Sequence, residues 1–216
     1  MARMNVNPTR MELSKLRGKL ISARRGHKLL KDKRDELMRR FMDMVRENQK
    51  LRREVEEAIR KANAHIAVAG SVMQRQQLET ALMLPKQEVE LNISEQNVMS
   101  VRIPVFEATF RSSDTNDIYS YGTAFTSSDL DDAVKALSEV FPKMIRLAEV
   151  EKSCQLMADE IEKTRRRVNA LEHIMIPDYE DTIKFITMKL SENERSTATS
   201  LLKVKDMVLK RSHDYH

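Results

Sequence analysis

Between Gly26 and Gly70 the chain reads HKLLKDKRDELMRRFMDMVRENQKLRREVEEAIRKANAHIAVA (residues 27–69), with neither Gly nor Pro. Alternate steps of three and four through this stretch and its flanks give Leu13, Leu16, Leu20, Ala23, His27, Leu30, Arg34, Leu37, Phe41, Met44, Asn48, Leu51, Val55, Ala58, Ala62, His65, Ala69 and Val72. Fourteen of these 18 positions are apolar. A heptad seam this long is the mark of a coiled coil. It predicts one helix from Pro8 to Val72, about 90 Å long at 1.5 Å per residue. Such a stripe needs a partner of similar length.

The last third supplies that partner. From Leu147 the same stepping gives Val150, Cys154, Met157, Ile161, Thr164, Val168, Leu171 and Met175. Beyond Pro177 the stripe resumes one residue out of phase as Ile176, Tyr179, Ile183, Ile186, Leu190, Asn193, Thr197, Leu201 and Val204. An uncompensated helical proline costs about 3 kcal/mol, so the phase jump predicts one continuous helix bent at Pro177. Two long helices around a turn-rich insert fold back as an antiparallel hairpin. If the two ends lie flush, residue i faces about residue 217 minus i, which sets Asn48 opposite Asn169 as a register-fixing pair.

The insert changes period. Val89, Leu91 and Ile93 alternate with polar residues, and Val98–Phe110 is β-branched and aromatic, with Pro104 marking an edge. Arg111–Asp117 reads as a turn and Tyr119–Thr126 as a further strand. Ser128 with Asp131 reads as a capping box. The expected fold is therefore mainly α, a long antiparallel two-helix coiled coil with a small β-hairpin insert at its far end. The expected boundaries are 1–75 for the first helix, 76–127 for the insert, 128–210 for the bent second helix and 211–216 for a disordered tail.

Composition agrees. The chain has 216 residues, of which 33% are charged and 5% aromatic, with four Gly, five Pro and no Trp; such a chain favours long helix. The periodic 41% of hydrophobic residues argues against disorder. The single cysteine, Cys154, permits no internal disulfide and suits a reducing compartment. No apolar run reaches the ~20 residues of a membrane span, and no secretory leader is expected. Charge is uneven: residues 1–61 carry 19 Lys/Arg against 9 Asp/Glu, and residues 62–142 carry 5 against 11. The first helix is thus basic, either as a solvated face or as a surface facing something acidic.

Catalytic chemistry has no foothold. The four glycines, Gly18, Gly26, Gly70 and Gly122, do not form a phosphate-binding loop, and no paired cysteines or HExxH motif offer a metal site. Cys154 reads as a small seam residue, His27 and His65 as seam positions, and His213 and His216 as tail. Glu160, Glu162 and Glu172 are helix-surface carboxylates with no pocket around them. Expected, then, are no catalytic residues, no metal and no cofactor. The runs Arg24-Arg25 and Arg165-Arg166-Arg167 lack the aromatic platforms of nucleic-acid binding, so no nucleic acid is expected.

Certain blocks carry a resemblance. They are Asn7-Pro8-Thr9-Arg10-Met11, then Gly26-His27-Lys28-Leu29-Leu30-Lys31-Asp32-Lys33-Arg34-Asp35-Glu36-Leu37. In the last third stand Arg165-Arg166-Arg167-Val168-Asn169-Ala170-Leu171-Glu172, Ile176-Pro177 and Thr182-Ile183, followed by Glu192-Asn193-Glu194-Arg195 and Leu202-Lys203-Val204-Lys205. In this order and spacing they resemble the D subunit of the V-type and A-type rotary ATPases and ATP synthases, of the bacterial type.

The resemblance implies a non-catalytic central-stalk rotor shaft. It would transmit torque between ATP hydrolysis or synthesis in the catalytic head and proton or sodium translocation in the membrane sector. Its implied partners are the catalytic and non-catalytic nucleotide-binding subunits, the small F subunit of the stalk and a funnel-shaped subunit on the membrane rotor ring. Its implied place is cytoplasmic and peripheral to the membrane. Pro8, Arg10 and Met11 match a motif lying towards the head, although Asn7 as cap and Pro8 in the first turn also explain a plain helix start. Arg165, Arg166, Arg167 and Asn169 are further candidate contacts, and Pro177 and Asn48 candidate structural residues. The alternative is a chaperone-like scaffold on the helix–hairpin–helix plan, as in prefoldin subunits. The seam's reach to both termini and the position of the motif blocks on the helices favour the shaft.

Overall fold

The computed structural model describes residues 6–111, 117–122 and 126–213. Its elements are α1 (Arg10–Val72), α2 (Arg75–Leu82), β1 (Val89–Val98), β2 (Val101–Phe110), α3 (Ser128–Ala170), a π-helical turn (Leu171–Met175) and α4 (Ile176–His213). The expected class holds: the chain is mainly α, with a two-stranded antiparallel hairpin in its middle. Contacts divide it into two compact units, one from residues up to Arg34 and from Lys163 onward, the other from Asp35 to Glu162.

The start of α1 differs from expectation in its cap. Thr9 caps it, because its Oγ1 accepts from the Glu12 amide at 3.2 Å while the Leu13 amide bonds the Thr9 carbonyl. A hydroxyl there satisfies one of the orphan amides of the first turn. The start of α3 is displaced too, by one residue. Ser127 Oγ accepts from the Asp129 amide at 3.1 Å, and Ser128 is already helical.

The seam of α1 is seated as predicted from Leu13 to Ala62, with Leu16, Leu37, Val55 and Ala62 buried. Past Ala62 it takes its four-residue step early and runs through Ile66, Ala69 and Met73. His65 and Val72 are exposed. A straight helix drifts about 20° per heptad against a 3.5 repeat, and this shift absorbs the drift.

In the first unit, Leu16, Tyr179 and Ile186 form a buried cluster with Leu13, Leu20, Ala23, Ile183, Phe185 and Leu190 around it. The expected register is overturned. Arg10 meets Glu194 at 2.6 Å and Arg24 meets Glu180 at 2.7 Å, whereas flush ends would set Arg10 against Met207. In the second unit Asn48 hydrogen-bonds Cys154, not Asn169, which is exposed. The reason is length. Within the first unit α4 runs on to His213, well past the Glu194 that meets Arg10 at the start of α1.

Proline does not end this second run at either site. Pro142 lies inside α3, where its ring removes the bond to the Ser138 carbonyl. Before Pro177 the backbone widens into the π turn, and the Ile176 amide bonds the Leu171 carbonyl five residues back. A π turn inserts one residue into the helical repeat. That insertion is the one-residue phase jump of the stripe: Val168 is buried, Met175 is exposed, and Tyr179 is buried again.

The first part of the insert packs at the end of α1 and the start of α3, as expected, but its hairpin runs back along the helices of its own unit. α2, which the sequence did not announce, follows α1 directly, and Ala69, Met73 and Leu130 pack together beneath it with Leu78 and Ala81. β1 and β2 pair from Val89↔Phe110 to Val98↔Val101. At the tip Val101 is buried with Leu37, Met157 and Ile161, and Val98, Met99 and Ile103 lie against them. At the base Phe110 meets Phe141 edge-on at 6.2 Å. Those anchors span about 30 Å of α3 at 1.5 Å per residue, the length of a ten-residue strand.

The two-residue turn Met99–Ser100 has φ of 53° and 71°, the primed geometry that matches strand twist. The Ser100 amide donates to Asn97 Oδ1 at 2.9 Å. The strand expected over Tyr119–Thr126 is absent among its described residues, with 123–125 outside them. Of the expected 111–117 turn, 112–116 also lie outside the described residues. Residues 211–213 of the expected tail continue α4, and 214–216 are outside them.

Candidate partner-binding surfaces

Pro8, Arg10 and Met11 stand together at the start of α1, all exposed. Arg10 spans to Glu194 on α4 beside a shallow groove that Leu190, Asn193, Thr197 and Leu201 complete. Arg165, Arg166, Arg167 and Asn169 are also exposed, on the outer side of α3, while Thr164 and Val168 between and beside them are buried. The two sets are not one site: Arg165 precedes Glu194 by 29 residues of the same helical run, roughly 40 Å at helical rise. Pro177 is half-buried beside the π turn, and Asn48 is half-buried on the seam.

Sequence reasoning missed the acidic partners of α1's basic residues. In the first unit Arg10, Arg24 and His27 face Glu194, Glu180 and Glu172, the last at 3.4 Å. In the second unit both polarities occur: Glu47 and Glu54 of α1 face Arg146 at 3.1 Å and Lys143 at 3.8 Å, while Arg52 of α1 faces Glu151 at 3.6 Å. Exposed pairs of this kind contribute about 0–1 kcal/mol each. The buried seam holds the helices together, and the charges act mainly by disfavouring shifted registers. Charge alternation between facing helices is the signal that could have found them, and it needs the correct register first.

The remaining chemistry is sparse. Burial pushes the Cys154 thiol above its ordinary pKa, partly offset by the Asn48 hydrogen bond, so it is a protonated seam residue and a poor nucleophile. Burial, then the hydrogen bond it donates to Asp131 at 2.8 Å, raises Tyr121 well above the usual phenol value. Among the described residues no three His, Cys, Asp or Glu side chains gather as metal ligands. No described helix is long and apolar enough to cross a membrane.

Beyond the Arg10–Glu194 pair, α4 carries Leu201, Leu202, Val204, Met207, Val208 and Leu209, every one at least half exposed. The seam stripe thus outlasts its partner helix. Leu201, Val204 and Val208 share the face of the stripe, and Lys203, Lys205 and Asp206 lie among the six.

The comparisons with known proteins accord with this geometry. A family model described as the ATP synthase D subunit matches residues 12–206. The V-type ATP synthase D subunit of Acetivibrio thermocellus is 58% identical over 215 residues, covering 100% of this chain and 97% of its own. The proteins of that name from Clostridioides difficile and a Thermoanaerobacter species are 56% and 52% identical, covering 98% and 97% of this chain and 95% and 100% of their own. A match of this extent along both long helical runs, the hairpin between them included, makes the chain a member of the ATP synthase D-subunit family.

Proposed function

We propose that this protein is the rotor shaft in the central stalk of a V-type ATP synthase, carrying torque and performing no catalysis of its own. It turns within a head of catalytic and non-catalytic nucleotide-binding subunits. It holds the small F subunit of the stalk on its flank and joins a funnel-shaped subunit on the membrane rotor ring, at the cytoplasmic face. Proton or sodium movement is thereby linked to ATP hydrolysis or synthesis. The observation that carries the reading is the exposed apolar run Leu201–Leu209, continuing a coiled-coil stripe past the end of its partner helix. Such a segment suits insertion into a surrounding ring. Pro8, Arg10 and Met11 at the head of α1 and Arg165, Arg166, Arg167 and Asn169 farther along supply the contacts.

A shaft must also differ from face to face, because each catalytic site must meet a different surface to take a different state. Pro177 and its π turn supply one such asymmetry. The test is to purify the tagged chain from its own cells and assay the eluate. Stoichiometric nucleotide-binding subunits with ATPase activity are expected. A self-assembled oligomer free of ATPase partners would overturn the reading in favour of a chaperone-like scaffold.

A further inference from the structure

The two edges of the hairpin are unequal. In an antiparallel ladder, residues in hydrogen-bonded pairs turn their backbone groups inward and those in the alternate pairs turn them out. The Arg111 amide bonds the Glu88 carbonyl at 3.1 Å, and the two-residue turn makes Val98 and Val101 the closing pair. The even-numbered residues of β1 therefore face β2. Val89, Leu91, Ile93, Glu95 and Asn97 present their amides and carbonyls to the open edge.

On β2 the outward positions are Arg102, Pro104, Phe106, Ala108 and Phe110. Pro104 has no amide to offer, which blunts that edge. β1 has no such guard. It holds no Pro, no Lys and no bulge across ten residues. Its Leu91 and Ile93 are 42% and 64% exposed, and every residue from Glu90 to Asn97 is exposed. A long unprotected edge is a template for a further strand.

We propose that the open edge of β1 receives an extended strand from another protein of the assembly, with apolar residues alternating with Lys or Arg. Charge selects that occupant. Glu88 just before β1 and Glu90 within it lie along the strand, with Glu95 farther on already 3.8 Å from Arg102 of β2, and residues 62–142 carry 5 Lys/Arg against 11 Asp/Glu. A second copy of this chain would set one acidic edge against another, which is unfavourable. Apolar residues of the incoming strand cover Leu91 and Ile93, and its cations meet the glutamates. The proposal rests on the chain being part of a larger complex.

The signature is an alternation. Residue-resolved hydrogen exchange on the purified complex, against the isolated full chain, should slow the Leu91, Ile93 and Glu95 amides at least tenfold. Asn92 and Ser94, already bonded to β2, should not change. Ile93→Pro removes one outward amide without touching the ladder, as Pro104 does on the other strand. It should return Leu91 and Glu95 to the exchange of the isolated chain while Asn92 and Ser94 stay slow. Odd-numbered amides that exchange alike in both samples, in a complex containing the nucleotide-binding subunits, would overturn the edge proposal and leave the shaft reading intact. Protection that appears in the isolated chain as its concentration rises would overturn the heterologous strand in favour of self-pairing. A chain that purifies without any other protein of the complex would overturn the shaft reading itself, and this proposal with it.

Discussion

Thr164 sits on the seam at 1% exposure, and its Oγ1 has no hydrogen-bond partner among the described residues. A buried hydroxyl left unpaired costs about 1–3 kcal/mol. Thr164→Val keeps the shape and removes the orphan, so it should raise the unfolding free energy of the isolated chain by about 1–2 kcal/mol. Urea unfolding measures this, and a loss of stability would mean that the hydroxyl has a partner. Asn48 and Cys154 show what a sequence can and cannot give at this scale. Both were legible as seam positions because heptad spacing names the residues that turn inward. Their pairing was not, since it depends on how far one helix slides along the other. His65 and Val72 were misplaced for a related reason: the 3.5 repeat was carried past the point where helical drift had moved the stripe to Ile66 and Met73.

At the scale of elements, the π turn shows a defect written in the sequence as arithmetic. The stripe needs one extra residue between Leu171 and Ile176, and the helix widens there to supply it. The wide turn also gives the Pro177 ring its room. Pro177→Ala should therefore change stability by less than about 1 kcal/mol, well short of the ~3 kcal/mol of an unrelieved helical proline. Deleting the exposed His173 restores an unbroken three–four alternation. In the Pro177→Ala chain that deletion should be tolerated. With Pro177 retained it should cost about 3 kcal/mol, because the ring then meets a regular turn. Urea unfolding of the four chains decides between this account and one in which proline alone breaks the helix. The hairpin was only half legible. Alternation marked β1 and branched residues marked β2, but the turn uses Met99 and Ser100 with positive φ, where Asn-Gly would have been the usual cue. The hairpin's fold-back was hidden for another reason: Val101 and Ile103 look like ordinary strand residues until Leu37 and Ile161 are beside them.

For the whole molecule, the unequal lengths of the two helical runs matter more than any single contact. Flush ends are the simplest assumption for two stripes of similar period, and nothing in the periodicity says otherwise. In the first unit Arg10, at the start of α1, meets Glu194, and α4 continues past that pair to His213. Its last apolar residues, Leu201 to Leu209, add little to the fold because they are exposed in it. Removing residues 201–216 should therefore leave the unfolding free energy of the isolated chain, read from urea unfolding, within about 0.5 kcal/mol of wild type, and should lower its tendency to aggregate. In the assembled complex the same truncation should weaken retention of the nucleotide-binding subunits and uncouple ATP hydrolysis from ion movement. The triple change Leu201→Ser, Val204→Ser and Val208→Ser separates the two ways this could happen. If apolar burial in a partner supplies the grip, the triple variant fails as the truncation does, although its helix is full length. If length alone matters, the triple variant assembles and couples normally, and the apolar run is not the contact that holds the shaft.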